Sequence, residues 1–218
     1  MSAVRILIAD DHEITRRGVQ VCLESQPEWT VVGEAATGHE AVEKAMLLKP
    51  DVVVLDISMP QLNGLETTRR ILEAVPQAEI VILTMHDSET LVRRALEAGA
   101  RGFVTKSDVA HHLVDAVKAL LQHKAFFTSG AAAAVLESYL NGSCRAQRRQ
   151  ASKQDLTARE REILQLLAEG RCNKEIAAIL QISIFTVETH RSKIMRKLNV
   201  HSMNEIVRYA IRNQFLSP

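Results

Sequence analysis

Paired cysteines, glycine-rich phosphate loops, internal repeats and membrane-length apolar runs are all missing from this chain, and each absence removes a class of protein. The three cysteines, Cys22, Cys144 and Cys172, are widely spaced and form no CxxC pair. That pattern argues for a reducing compartment and against a zinc site. No apolar run approaches the roughly 18 residues needed to span a bilayer. Met1-Ser2-Ala3 leads within a few residues into the first predicted strand, leaving no room for a signal peptide. The expectation is a soluble, cytoplasmic protein without a membrane partner. Neither GxxxxGK followed by Ser or Thr nor GxGxxG occurs, so the common nucleotide-binding fingerprints are excluded.

What is present is a segregation of charge. The net charge of +1 hides 13 Lys+Arg against 19 Asp+Glu in residues 1–140, and 14 against 7 in residues 141–218. The acidic part and the basic part fit two domains of ordinary size in 218 residues. A basic C-terminal part suggests a polyanionic partner, foremost nucleic acid; a solvated basic face is the alternative.

Strand and helix patterns alternate regularly from residue 4 to about 123. Apolar runs at 4–9, 30–35, 52–56, 81–84 and 102–105 alternate with helical patterns at 13–25, 38–48, 65–75, 88–99 and 108–123. Continuous apolar runs separated by helical lengths predict strands buried on both faces, hence a doubly wound, five-stranded parallel sheet in an α/β domain over residues 1–125. Residues 126–154 read as a linker with a short helix at 131–140 and a basic flexible stretch at 143–154. Residues 155–218 hold four helical patterns and no strand, predicting a small all-α domain.

The strands run into polar groups of one chemical set. Ile6-Leu7-Ile8-Ala9 leads to Asp10-Asp11, Val52-Val53-Val54-Leu55 to Asp56, Val81-Ile82-Leu83 to Thr84, and Gly102-Phe103-Val104-Thr105 to Lys106. Ligands in such sheets bind beyond the carboxyl ends of the strands, so these groups should converge. Three close carboxylates repel; they share a proton or hold a hard cation, and Mg²⁺ suits an oxygen-rich site with an open side. Asp56 is the natural nucleophile toward phosphorus, with Asp10 and Asp11 on the metal. Lys106 would pair with a phosphoryl oxygen, and Thr84 would donate to another. Taken singly, an Asp after a strand is often a cap or turn residue. His12, His111, His112 and His123 show no ligand-like arrangement with acidic partners and read as surface or local packing residues, His12 within the run Asp10-Asp11-His12.

This set, in this order, resembles the receiver domain of bacterial response regulators over roughly residues 3–123. The resemblance implies that Asp56 accepts phosphate from a sensor histidine kinase and that the Ser58 main-chain carbonyl completes the Mg²⁺ site. It makes Phe103 a switch aromatic that moves inward as Thr84 follows the phosphate, and puts Ser58 and His86 where phosphate lifetime is tuned. Ser107 stands where the family usually has Pro.

In the basic part, Thr157 with Glu160 forms a capping box, Gly170 ends the first helix, Asn173 caps the second and Ser183 the third. On the third helix Val187, Ile194 and Leu198 share the core side, while Glu188, Thr189, Ser192, Lys193 and Arg196 fall opposite, as a helix-turn-helix reader requires. Leu-Thr-Ala-Arg-Glu from 156, Asn-Lys-Glu-Ile-Ala from 173, Ile-Ser-Ile-Phe-Thr-Val-Glu-Thr-His from 182 and Lys-Leu-Asn-Val from 197 resemble the LuxR-type DNA-binding domain. Together the halves look like a NarL/FixJ-family response regulator. The resemblance implies base contacts from Glu188, Thr189, Ser192 and Lys193, and phosphate contacts from Asn173, Lys174, Thr186, Arg191 and Lys197. It also implies a homodimer on phosphorylation that binds double-stranded DNA, with RNA polymerase a further candidate partner, and a transcription factor whose only catalysis is its own Mg-dependent phosphorylation and dephosphorylation. Met203 replaces the family's usual Arg. Two other readings stay open: an aspartyl-nucleophile phosphohydrolase, whose DxD arrangement Asp10-Asp11-His12 does not offer, and an unphosphorylated DNA binder with a vestigial receiver.

Overall fold

The computed structural model describes residues 3–85, 88–128, 156–213 and 215. The chain divides into two compact units near residue 141, described separately below. The helix expected at 131–140, the linker expected at 143–154, and His86 and Cys144 lie outside the described residues.

In the first unit, β1 (Val4–Ala9), β2 (Trp29–Ala35), β3 (Val52–Asp56), β4 (Glu79–Thr84) and β5 (Gly102–Thr105) alternate with five α-helices, the last preceded by a 3-10 turn at Lys106–Asp108. These are α1 (Glu13–Glu24), α2 (Gly38–Leu48), α3 (Gly64–Ala74), α4 (Glu89–Ala98) and α5 (Val109–Leu121). The sheet is parallel, but it has six strands rather than the five expected, in the order β2-β1-β3-β4-β5-β6. The addition, β6 (Phe126–Phe127), pairs with Gly102 and Phe103 of β5. Two residues carry no readable periodicity, and their extended form is set by pairing: Phe126 N–H donates to Arg101 O at 3.0 Å and Thr128 N–H to Phe103 O at 3.2 Å. The sheet therefore extends past residue 125, into the stretch read as linker.

Alternation along the strands divides the core. Leu7, Val53, Leu55, Ile80, Ile82 and Phe103 face α2, α3 and α4, while Ile6, Ile8, Val52, Val54, Val81, Leu83 and Val104 face α1 and α5. Every residue of β3 and β4 is buried, which is why those runs read as unbroken apolar stretches. Thr37, Asn63 and Ser88 cap α2, α3 and α4 by accepting a backbone N–H three residues on. The chain leaves β1 toward β2 and then crosses to β3, so the carboxyl ends of β1 and β3 flank a topological switch point.

In the second unit, α6 (Ala158–Ala168), α7 (Asn173–Leu180), α8 (Ile184–Leu198) and α9 (Met203–Arg212) enclose a core that includes Ile163, Leu167, Ile176, Val187, Ile194 and Ile206. The capping box of Thr157 and Glu160 forms as expected. Gly170 closes α6 at φ +83°, a left-handed position that favours glycine. One cap differs: Cys172, not Asn173, is the N-cap of α7, its N–H donating to Glu175 at 2.8 Å, and Asn173 is the first helical residue. Gln181, at φ +52°, ends α7, and Ser183 caps α8 through Thr186 N–H at 3.0 Å. Two helices joined by three residues make the helix-turn-helix. Met203 begins α9, half-buried against this core, so its apolar side chain serves packing.

Candidate phosphoacceptor site and nucleic-acid interface

Strand register builds the acidic site. Asp56 is the last residue of β3 and pairs with Leu83, which puts Thr84 one step beyond it on β4; Thr84 pairs with Thr105, which Lys106 follows. Asp10 follows β1 directly. Asp10 and Asp56 are 0% and 2% exposed, and Thr84 4%. The Lys106 ammonium bridges the two buried carboxylates, 2.7 Å from Asp10 and 3.1 Å from Asp56. Thus the strand-end residues do converge, around two buried negative charges and one cation.

Electrostatics follow from that count. Burial, aided by the Asp10 charge, lifts the Asp56 carboxyl above its ordinary range despite Lys106 and a hydrogen bond from Ser58 N–H. Burial also works against the charge on Lys106, but hydrogen bonds and attraction from Asp10 and Asp56 outweigh it, so its pKa is raised. Lys106 balances only one of the two buried charges. Asp11, on the exposed rim, adds a third carboxylate, and Asp10, Asp11, His12 and Asp56 bring ligand atoms within 4.8 Å of one another. The cluster can hold a divalent cation, and its oxygen-dominated donors suit a hard one.

His12 corrects the sequence reading, which gave it no ligand-like arrangement with acidic groups, since it belongs to the cluster with Asp10, Asp11 and Asp56. Its Nδ1 lies 2.8 Å from Asp11 and 3.4 Å from Asp10, and its N–H donates to Asp10 at 2.8 Å. His123 likewise meets the Glu79 carboxylate at 2.9 Å. The first was legible in the run Asp10-Asp11-His12; the second, 44 residues apart, was not.

Phe103 is fully buried on β5, paired with Ile82 and Phe127. Gly64 fits closely against the loop that follows β3. Its N–H donates to Ile57 O at 2.9 Å, and a Cβ there would stand 2.3 Å from Asp56 O.

On the second unit, Glu188, Thr189, Ser192, Lys193 and Arg196 are exposed, while Val187 and Ile194 are buried beneath them. Lys174 is exposed too; Asn173, Thr186 and Arg191 are half-buried. The Thr186 hydroxyl meets Ser183 Oγ at 2.8 Å. Lys197 departs from expectation: its ammonium lies 2.6 Å from the carboxylate of Glu160, whose side chain is 4% exposed. This ion pair ties α8 to α6. Arg159 pairs with Glu162 at 2.7 Å within α6, and its guanidinium also donates to Leu180 O at 2.9 Å, which ties α6 to α7. The Arg159–Glu162 pair is the local i,i+3 kind, whereas the contacts to Glu160 and to Leu180 O span 37 and 21 residues and have no local sequence signature.

A carboxylate cluster of phosphotransfer type on a doubly wound sheet, followed by a helix-turn-helix reader, defines a class: transcription factors governed by a receiver. Comparison with known families gives the particular one. The "Response regulator receiver domain" family matches residues 6–118, and "Bacterial regulatory proteins, luxR family" matches residues 154–210. The chain belongs to the NarL/FixJ-type two-component response regulators. It is 37% identical to the oxygen regulatory protein NreC of Staphylococcus carnosus over 98% of this chain and 99% of that one. The RcsB response regulator of Salmonella typhimurium, solved in a study of conformational dynamism for DNA interaction, is 26% identical with a TM-score of 0.65, covering 98% and 99%. A structure of two RcsB dimers bound to two parallel DNAs is 27% identical with a TM-score of 0.57, covering 97% and 99%. As a response regulator the chain is a phosphorylation-cycling transcription factor and not an enzyme of the ordinary kind.

Proposed function

We propose that Asp56 is the phosphoacceptor for a sensor histidine kinase, and that its phosphorylation drives this chain to dimerise on double-stranded DNA and regulate transcription in the cytoplasm. The observation that carries this reading is the Lys106 ammonium bridging buried Asp10 and Asp56 at a strand end. An Asp56 carboxylate oxygen attacks phosphorus as the bond from phosphorus to the kinase imidazole nitrogen breaks, and the imidazole leaves with the electron pair. Lys106 supplies positive charge where phosphoryl oxygens gain negative charge, and Thr84 donates a hydrogen bond to one of them. Mg²⁺, held by Asp10, Asp11, Asp56 and the Ser58 carbonyl, would neutralise phosphoryl charge.

The phosphoryl group adds roughly two negative charges, and Thr84 and buried Phe103 pass the change to the β5 side of the sheet. The RcsB dimers on DNA support the output. Glu188, Thr189, Ser192 and Lys193 read base edges, and Asn173, Lys174, Thr186 and Arg191 meet phosphates. Lys197, engaged by Glu160, positions α8 instead. Paired readers would span half-sites about 34 Å apart, where RNA polymerase is the candidate further partner. The test treats full-length protein with Mg²⁺ and acetyl phosphate and follows association and DNA binding. Both rise in the parent protein and not in Asp56→Ala; equal responses would overturn the proposal.

A further inference from the structure

The exposed face of α8 carries an aromatic residue that none of the contacts assigned above uses. Phe185 is 77% exposed and its neighbour Ile184 46%. One exposed apolar residue on a surface needs no explanation; the position of this one does. At 100° per residue, Phe185 lies within about 60° of Glu188, Thr189, Ser192 and Arg196, and nearly opposite Val187 and Ile194. It is therefore near the middle of the face turned away from the core. It also sits in the first turn of α8, which Ser183 caps, and the N-terminal residues of a recognition helix are the ones that reach base edges. The Thr189 hydroxyl donates to Phe185 O at 2.9 Å, so its proton is engaged by the helix itself. This end of the reading face is thus poorer in free donors than its sequence suggests.

A phenyl ring makes no hydrogen bond, and against the polar edge of a G·C pair it would strip water from donors and acceptors without replacing their bonds. The major-groove floor offers one apolar feature, the C5-methyl group of thymine. We infer that Phe185 packs on a thymine methyl in each half-site and sets a preference for T at that position. The inference rests on the DNA-binding reading above and adds a determinant of sequence choice to it.

The experiment uses full-length protein treated with Mg²⁺ and acetyl phosphate. Duplexes are selected from a random pool, and each thymine of the selected half-site is then replaced singly by 2′-deoxyuridine, which removes only the methyl. For the parent protein one position per half-site should lose roughly three- to tenfold in affinity, the worth of a buried methyl contact. Phe185→Ala should be indifferent to the methyl at that position while keeping the salt dependence of binding. Phe185→Leu should retain part of the loss. Tolerance of deoxyuridine at every position, or an undiminished loss in Phe185→Ala, would overturn the inference while leaving sequence-selective DNA binding intact. Failure to recover any selective duplex would overturn the DNA-binding reading and this inference together.

Discussion

Replacing Asp56 with Asn in metal-free protein should stabilise the first unit at neutral pH, and Mg²⁺ should narrow that advantage. The carboxylates of Asp10 and Asp56 lie within 4.8 Å of each other, where at an effective dielectric of about 20 they repel by roughly 3.5 kcal/mol. Lys106, 3.1 Å from Asp56, returns roughly 5.4 kcal/mol on the same basis. Burying a carboxylate costs several kcal/mol more, so the ionised form is unfavourable on balance, in keeping with the raised pKa of Asp56. Asn keeps the shape and an oxygen for Ser58 N–H but carries no charge, and a gain of about 1–3 kcal/mol follows. The sign with pH is fixed. Unfolded Asp56 ionises at its ordinary value and folded Asp56 above it, so the penalty is absent below the ordinary value and grows as pH rises through the folded one. A metal at about 100 times its Kd would add about 2.7 kcal/mol to the parent protein, and less to the variant, which has lost a ligand charge. Trp29, the single tryptophan, lies on β2, so its fluorescence follows unfolding of this unit in urea. An Asn variant no more stable than the parent in chelator at pH 8, or an advantage that shrinks as pH rises, would refute the reasoning.

Removing the cation has the opposite effect. Lys106→Ala leaves Asp10 and Asp56 unpaired and should cost about 3–5 kcal/mol in chelator, part of it recovered when Mg²⁺ is titrated in; equal urea midpoints would contradict the ion-pair assignment. Gly64→Ala should cost roughly 1–3 kcal/mol and slow phosphoryl uptake, because the new Cβ would meet Asp56 O and Ile57 Cα at 2.3 and 2.8 Å; an unchanged uptake time course would show that the loop yields freely. In the second unit, burial opposes the Glu160 charge, but Lys197 and the Thr157 hydrogen bonds lower its pKa overall. The resulting stability is present above the ordinary carboxyl pKa and is lost as pH falls through the lowered one. Glu160→Gln should therefore weaken this unit by about 1–3 kcal/mol at neutral pH, and the difference should vanish in acid; circular dichroism melts at both pH values check it.

Features governed by local rules were readable in the sequence. The buried runs of β3 and β4, the caps at Thr157 and Ser183, and the strand ends at Asp10, Asp56, Thr84 and Lys106 follow from period, capping and topology. What was not readable depends on contacts distant in sequence. β6 is two residues long and exists because β5 offers an open edge. Lys197 reads as one more cation on a basic helix until Glu160, 37 residues earlier, is brought beneath it. Cys172 displaces Asn173 as cap because Glu175 reaches back to its N–H, and a Cys N-cap is not a choice that residue preference suggests. Phe185 was visible within a motif, but its significance needed its exposure.

The central claim, that the buried carboxylate at the end of β3 receives the phosphoryl group, is tested most directly by peptide-resolved mass spectrometry. Full-length protein is incubated with Mg²⁺ and acetyl phosphate and digested rapidly under conditions that preserve acyl phosphates. The account predicts one added phosphoryl group, located on Asp56 and lost in Asp56→Ala. An adduct on another residue, or one that persists undiminished in Asp56→Ala, would contradict it.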